Sequence, residues 1–188
     1  MRTGALLLAA GFSTRFGDTK LLATLYNGST VFAQTYDRLS AAVEDVVVIT
    51  HPELANALKL HGTQIKIFTN AHEGMGATLA FGMRFTTHWD ACFVCLSDMP
   101  FVSTATYSRL LESADPNLIV APEYNGTRGN PVVFGERHFS SLTKLRGDSG
   151  GKSVLAEHSN HLRLIQVADP AVLMDIDTPE DLVTLQTP

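Results

Sequence analysis

The sequence predicts one α/β domain, residues 1–188, of Rossmann-like, three-layer αβα architecture built on a mostly parallel sheet. Three observations predict it. Short apolar runs alternate with stretches whose apolar residues recur three and four apart. The first run ends in small residues and a glycine, Ala9-Ala10-Gly11. A content of 45% hydrophobic and 18% charged residues suits a single core in water.

Residues 5–9 read as the first strand, an apolar run bounded by glycines. Helical spacing at 31–41 leads to a strand at 45–50, and 53–60 leads to a strand at 65–69. A helix at 78–85 precedes the strand 91–96, and one at 104–112 precedes the strand 118–121. Repeated strand-helix-strand units make parallel neighbours with helices on both faces. The last third breaks the rhythm, with strands at 131–134 and 162–167 and short helices at 139–145 and 151–158. A final helix runs to about residue 186 from Thr178-Pro179-Glu180-Asp181. There Thr178 caps, Pro179 fits the first helical position, and two acids face the positive end of the dipole.

A net charge of −5, from 14 Lys plus Arg against 19 Asp plus Glu, argues against a long nucleic acid as partner. A small phosphorylated ligand in a locally basic pocket stays open. The apolar runs are of strand length, too short for a bilayer span or a signal h-region, so a cytoplasmic protein without membrane contact is expected. Cys92 and Cys95 form a C-x-x-C inside an apolar strand, where residues three apart face opposite ways. They read as reduced, packed cysteines rather than a redox or zinc pair. The seven histidines show no H-E-x-x-H or Cys-His set and read mostly as surface residues, with Trp89 as packing before a strand.

The chemistry collects in the first strand-to-helix turn, Leu8 to Lys20. Small side chains at Ala9, Ala10 and Gly11 let backbone N–H groups approach phosphate oxygens, and Arg15 and Lys20 supply cations. It is neither a Walker loop nor a G-x-G-x-x-G. On spacing alone, a phosphate loop and an ordinary glycine-rich turn stand as equals.

This segment, L-A-A-G-x-S-x-R-x-G-x-x-K, resembles the signature of the small nucleotidyltransferases that act on molybdenum cofactor, especially the molybdenum cofactor cytidylyltransferases. Five further segments, in the same order along the chain, resemble that MobA-like family. They are Gly74-Met75-Gly76-Ala77-Thr78-Leu79-Ala80-Phe81-Gly82, Leu96-Ser97-Asp98-Met99-Pro100, Gly126-Thr127-Arg128-Gly129-Asn130-Pro131, Gly147-Asp148-Ser149-Gly150 and Asp175-Ile176-Asp177-Thr178-Pro179-Glu180-Asp181. The resemblance implies a nucleotidyltransferase fold and attack by a pterin cofactor's terminal phosphate on the α-phosphate of a nucleoside triphosphate, with pyrophosphate released. Alanine at position 10, rather than glycine, goes with CTP over GTP in that family.

The resemblance also distributes roles. Arg15 and Lys20 go to the triphosphate, with Lys20 near the transferred phosphate. Leu8, Ala9, Ala10, Gly11, Ser13, Gly17, Gly74, Gly76 and Thr78 form the nucleotide site, joined by Asp98. Mg²⁺ is expected on Asp98, which follows the strand 91–96 at its carboxyl edge, and on a second carboxylate, Asp177 in preference to Asp175. Arg128, Gly129, Asn130 and Asp148 fall on the acceptor side, and a molybdenum hydroxylase is the implied client. The sequence departs from the family at Asn130, where histidine is usual, at Ala23 in place of proline, and at Gly151-Lys152 in place of alanine and arginine. Those departures touch the acceptor more than the nucleotide. A sugar or polyol phosphate nucleotidyltransferase and a non-catalytic molybdenum cofactor carrier remain the alternatives.

Overall fold

A computed structural model describes residues 1–12, 16, 19–58 and 64–185. Its strands are β1 (Thr3–Ala9), β2 (Asp45–Thr50), β3 (Gln64–Ile67), β4 (Ala91–Leu96), β5 (Ile119–Tyr124), β6 (Thr127–Arg128), β7 (Val132–Gly135) and β8 (Leu162–Gln166). The α-helices are α1 (Val31–Ser40), α2 (Pro52–Ala55), α3 (Met75–Gly82), α4 (Thr104–Glu112), α5 (Phe139–Leu142), α6 (Lys152–Glu157) and α7 (Pro179–Thr184). All eight strands join one sheet in the order β3-β2-β1-β4-β7-β5-β6, with β8 on β5.

The sheet is parallel from β3 to β4, and β7 enters antiparallel between β4 and β5. Because β8 occupies one edge of β5 along 119–123, β6 and β7 share the other edge, separated by Gly129-Asn130-Pro131. The α/β class and the mostly parallel sheet agree with the sequence expectation.

Alternation along each strand explains the three layers. Ala5, Leu7 and Ala9 of β1 and Phe93 and Cys95 of β4 pack under α1 and α4, with Phe32, Leu39, Tyr107 and Leu110. Leu6 and Leu8, with Cys92 and Val94, pack on the other face against Leu79 of α3 and Val154 and Leu155 of α6. The two cysteines are therefore free, buried and on opposite faces, and burial pushes both thiols well above their ordinary range. Trp89 is buried and donates through Nε1 to Asp45 Oδ2 at 2.7 Å.

Several element boundaries move. The helix expected at 78–85 starts at Met75, because Gly74 (φ +101°) lets the chain turn into it, and a 3-10 turn at Met83–Phe85 completes it. Only Pro52–Ala55 is α-helical in the stretch expected at 53–60, whose end lies outside the described residues. Helix α5 stops at Leu142, three residues short of expectation. Hairpin strand β6 was not expected, since two exposed residues carry no periodic signal. Thr178 caps α7 as expected, and Asp181 completes the box by accepting the Thr178 backbone N–H at 2.8 Å. No described helix is long and apolar enough to cross a membrane.

Strand β1 leads by way of α1 to β2 on one side, whereas the chain returning from β3 crosses to β4 on the other. That reversal puts a topological switch point at the carboxyl ends of β1 and β4, where open α/β sheets form clefts.

Candidate active site

At this switch point the two strand ends are tied together. Ser97, the residue after β4, donates both its backbone N–H (3.2 Å) and its Oγ (2.7 Å) to Leu8 O. Thr35 Oγ1 donates to Ser97 O (3.0 Å) and Gln34 Nε2 to Pro100 O (2.9 Å), so two buried polar residues of α1 brace the turn that presents Asp98. Sequence reasoning passed over Gln34 and Thr35. Their signal was two polar residues inside the inward stripe of an amphipathic helix.

Lys20 opens a 3-10 turn, Lys20–Leu22, whose Leu21 is anchored in the core. Its Nζ donates to Asp98 Oδ2 at 2.7 Å and to Asp177 Oδ1 at 2.9 Å. The third part of the arrangement is the C-terminal segment, held by Ile176 N–H donating to Asp98 O at 2.9 Å. Carboxylate oxygens of Asp98, Asp175 and Asp177 lie within 4.8 Å of one another. Residues 20, 98 and 177, remote in sequence, thus meet at one point.

Electrostatics sharpen the trio. Burial raises the Asp98 pKa above the ordinary carboxylate range, with the Lys20 ammonium only partly offsetting it and Asp175 adding to the rise. Burial opposes the Lys20 ammonium, yet Asp98 and Asp177 outweigh it and hold its pKa above the usual lysine value. Asp98 Oδ1 is buried without a hydrogen-bond partner. An orphaned carboxylate oxygen beside two more carboxylates suits a hard divalent cation, which takes oxygen ligands and keeps waters. Asp98, Asp175 and Asp177 are the residues that could hold one.

The trio lies in the wall of a cleft of about 810 Å³, a size that accepts a nucleotide-scale ligand. Leu8, Ala10, Gly11, Gly74, Thr78 and Asp98 line it from the expected nucleotide set, and Arg128, Gly129, Asn130 and Asp148 line it from the expected acceptor set. Ala9 does not: its side chain points into the core beneath α1, and its carbonyl accepts from Thr50 Oγ1 at 3.0 Å. Gly76 does not line the cleft either; its N–H donates to Gly147 O at 2.6 Å, and a Cβ there would lie 2.7 Å from Arg146 O. Thr78 spends its hydroxyl on Gly74 O at 3.0 Å. Arg15, Ser13 and Gly17 lie outside the described residues. Lys152, noted in the sequence only as a departure, lines the cleft as a third described cation beside Lys20 and Arg128.

Two close approaches set the cleft's far walls. Asn130 N–H donates to Val172 O (2.8 Å), and a Cβ on Gly129 would lie 2.4 Å from that same oxygen. A Cβ on Gly74 would lie 2.2 Å from Asp148 Oδ1 and 2.6 Å from Gly147 C, in a backbone conformation that side chains rarely adopt. Gly74→Ala is therefore expected to cost about 2 kcal/mol of stability, measured as a lower denaturant midpoint. An unchanged midpoint would mean that the 147–148 loop yields freely.

The histidine reading needs correction. His138 and His51 are buried, and His138, His158 and His161 come together at the other end of the sheet. Pairing of β7 and β8 with the starts of β4 and β5 gathers them, which no single-element pattern could reveal.

The chain is similar to several known proteins. Residues 5–162 match the MobA-like NTP transferase domain. The chain is 26% identical to the purine catabolism protein PucB of Bacillus subtilis, over 93% of this chain and 91% of that protein. It is 31% identical to a probable molybdenum cofactor guanylyltransferase of Bacillus cereus strain Q1 over 68% of this chain, spanning 64% of that relative. The crystal structure of Rv0371c from Mycobacterium tuberculosis superposes with a TM-score of 0.86 at 27% identity, covering 99% and 97% of the two chains. A second structure of that protein is a manganese complex, with a TM-score of 0.82 at 26% identity over 99% and 98% of the chains.

Proposed function

The chain belongs to the MobA-like NTP transferase family, a family of nucleotidyltransferases, and from that premise we propose that it moves CMP from CTP to the terminal phosphate of a molybdopterin-type cofactor. In that reaction an acceptor phosphate oxygen bonds to the α-phosphorus of CTP while the bond from that phosphorus to the bridging oxygen breaks, and pyrophosphate leaves. The attacking phosphate is already an anion, so no covalent enzyme nucleophile is required. Rate comes from in-line positioning and charge neutralisation.

The observation that carries this reading is the Lys20-Asp98-Asp177 cluster at the sheet's switch point. In this proposal the Lys20 ammonium stabilises charge on the transferred phosphate, and Asp98 and Asp177, with Asp175 beside them, would hold a divalent cation, Mg²⁺. Such a site would supply charge neutralisation and Lewis-acid polarisation to a bound triphosphate. Arg15 keeps its triphosphate role from the sequence motif. The turn at Gly74 and the wall at Ala10 receive the base and ribose. Arg128, Asn130 and Asp148, with the added cation Lys152, face the acceptor, and the amide of Asn130 takes the hydrogen bonds that an imidazole would otherwise make. A molybdenum hydroxylase is the client this product would serve.

Pyrophosphate release with purified protein, Mg²⁺, molybdopterin-type cofactor and each of the four nucleoside triphosphates tests the proposal. Release with CTP alone is the expected result. The guanylyltransferase relatives favour a second reading, in which GTP supports release instead. Silence with all four, while nucleotide binds, would move the acceptor to another phosphate or the chain to a carrier role. Ala10 is nearly buried in the cleft wall, so removing its methyl enlarges the space for a base. Ala10→Gly is expected to shrink the CTP over GTP preference about tenfold, read as the ratio of kcat/KM values. An unaltered ratio would detach base choice from this wall.

A further inference from the structure

Three imidazoles converge at the end of the sheet opposite the cleft. His138 ends the 3-10 turn after β7, His158 caps the C-terminus of α6, and His161 ends the 3-10 turn that leads into β8. Strand pairing fixes the location, because Gly135 of β7 lies beside Ala91 at the start of β4, and Leu162 beside Ile119 at the start of β5. Asp98 lies beyond the other end of β4, roughly 17 Å of strand away.

One nitrogen from each ring lies within 4.8 Å of the others. His138 is fully buried, and its Nε2 is 3.3 Å from Asn117 O. A carbonyl only accepts, so Nε2 carries the proton and Nδ1 presents its lone pair. That Nδ1 is buried with no hydrogen-bond partner, and so is Nδ1 of His161. Two orphaned ring nitrogens in one cluster are unusual, since buried polar atoms are normally satisfied. His158 has Nε2 3.2 Å from Ser141 Oγ and 3.8 Å from Glu157 Oε1, the kind of contact that orients a ligating ring. His158 and His161 are three apart, joined by His161 N–H donating to His158 O at 2.9 Å, and their rings stack at 8°.

We propose that His138, His158 and His161 form a second metal site, for a divalent transition ion of the Zn²⁺ class, separate from the carboxylate cluster of the cleft. Neutral imidazoles select such an ion over Mg²⁺, which prefers oxygen ligands. Three histidines leave a fourth position for water. Ring rotation need only bring the ligand nitrogens to roughly 3.3 Å from one another, the separation that bonds of about 2.0–2.1 Å require in a tetrahedron. The ion joins the turn after β7, the end of α6 and the start of β8, so its effect falls on stability rather than on nucleotide chemistry.

The test uses the tag-free full chain, stripped by chelator and titrated with Zn²⁺, Co²⁺ and Mg²⁺ by calorimetry, thermal unfolding and visible absorption. Zn²⁺ is expected to bind one to one at this site and raise Tm, and Co²⁺ to give the intense visible bands of a four-coordinate ion. His158→Gln and His161→Gln are each expected to weaken Zn²⁺ binding by at least about tenfold and to remove the Co²⁺ bands. Both rings are partly exposed, so these variants avoid the folding burden of changing His138. Asp98→Asn should keep the site intact. Failure of the stripped chain to bind Zn²⁺, equal affinity in both histidine variants, or loss of binding in Asp98→Asn alone would overturn the proposal.

Discussion

Asp98→Asn is expected to lower divalent-metal-dependent pyrophosphate release by about 10³-fold while the chain still folds. The activity loss follows from geometry. Asp98 is the member of the carboxylate cluster with a buried, partnerless oxygen and with Lys20 on its other oxygen. The amide keeps the size of the side chain and removes its charge. Stability is pulled two ways, the first of them because burial raises the Asp98 pKa in the folded chain. The folded state therefore binds more protons than the unfolded state between the ordinary carboxylate value and the raised one. Stability falls as pH rises through that window, so asparagine removes this cost but also takes from the Lys20 ammonium its partner at 2.7 Å. Below the ordinary carboxylate range Asp98 is protonated in both states, and the difference in Tm between the two proteins should close. A variant that folds and retains turnover would remove Asp98 from this role.

Lys20→Met is expected to lower stability. Its folded pKa is raised because two carboxylates outweigh the burial penalty. The pair therefore contributes stability below the ordinary lysine value, which is lost as pH rises through the folded value. Methionine leaves Asp98 and Asp177 without their cation, so a loss on the order of 2 kcal/mol at pH 7 is expected, less than for a fully buried pair. Turnover should fall about 10²- to 10³-fold, with the acid limb of the pH–rate profile moved to higher pH, since Lys20 no longer opposes protonation of Asp98. Lys20→Arg is expected to rescue little. A planar guanidinium does not reproduce a point charge held at 2.7 and 2.9 Å from two carboxylates. Activity and pH profile unchanged in Lys20→Met would assign the lysine a structural role alone.

Much of this protein is written in local pattern. The continuous apolar runs of β1, β2 and β4 are long enough, and bounded sharply enough, to place strands within a residue or two, because strands buried on both faces need no polar alternation. The Thr178 cap and the buried cysteines were legible for the same reason, since each depends on neighbours in sequence. Asp98 was legible because a strand fixes where its carboxyl end lies.

Other features exist only in three dimensions. The antiparallel insertion of β7 and the two-residue strand β6 depend on pairing with β5, which no run of residues announces. Ala9 shares a motif with Ala10, yet the two point to opposite sides, one into the core and one into the cleft, and only the pleat of β1 decides which. The same holds for the choice between Asp175 and Asp177, where the bond from Ile176 N–H to Asp98 O brings both carboxylates to the site. The histidines are the clearest case. By itself the sequence determined the parallel strands β1, β2 and β4, helices α1 and α4 and the residues at the carboxyl ends of β1 and β4, because those follow from periodicity and chain direction. The meeting of Lys20 with Asp177, and of His138 with His158 and His161, was decided by the tertiary structure, because contacts between distant segments are set by sheet order and packing.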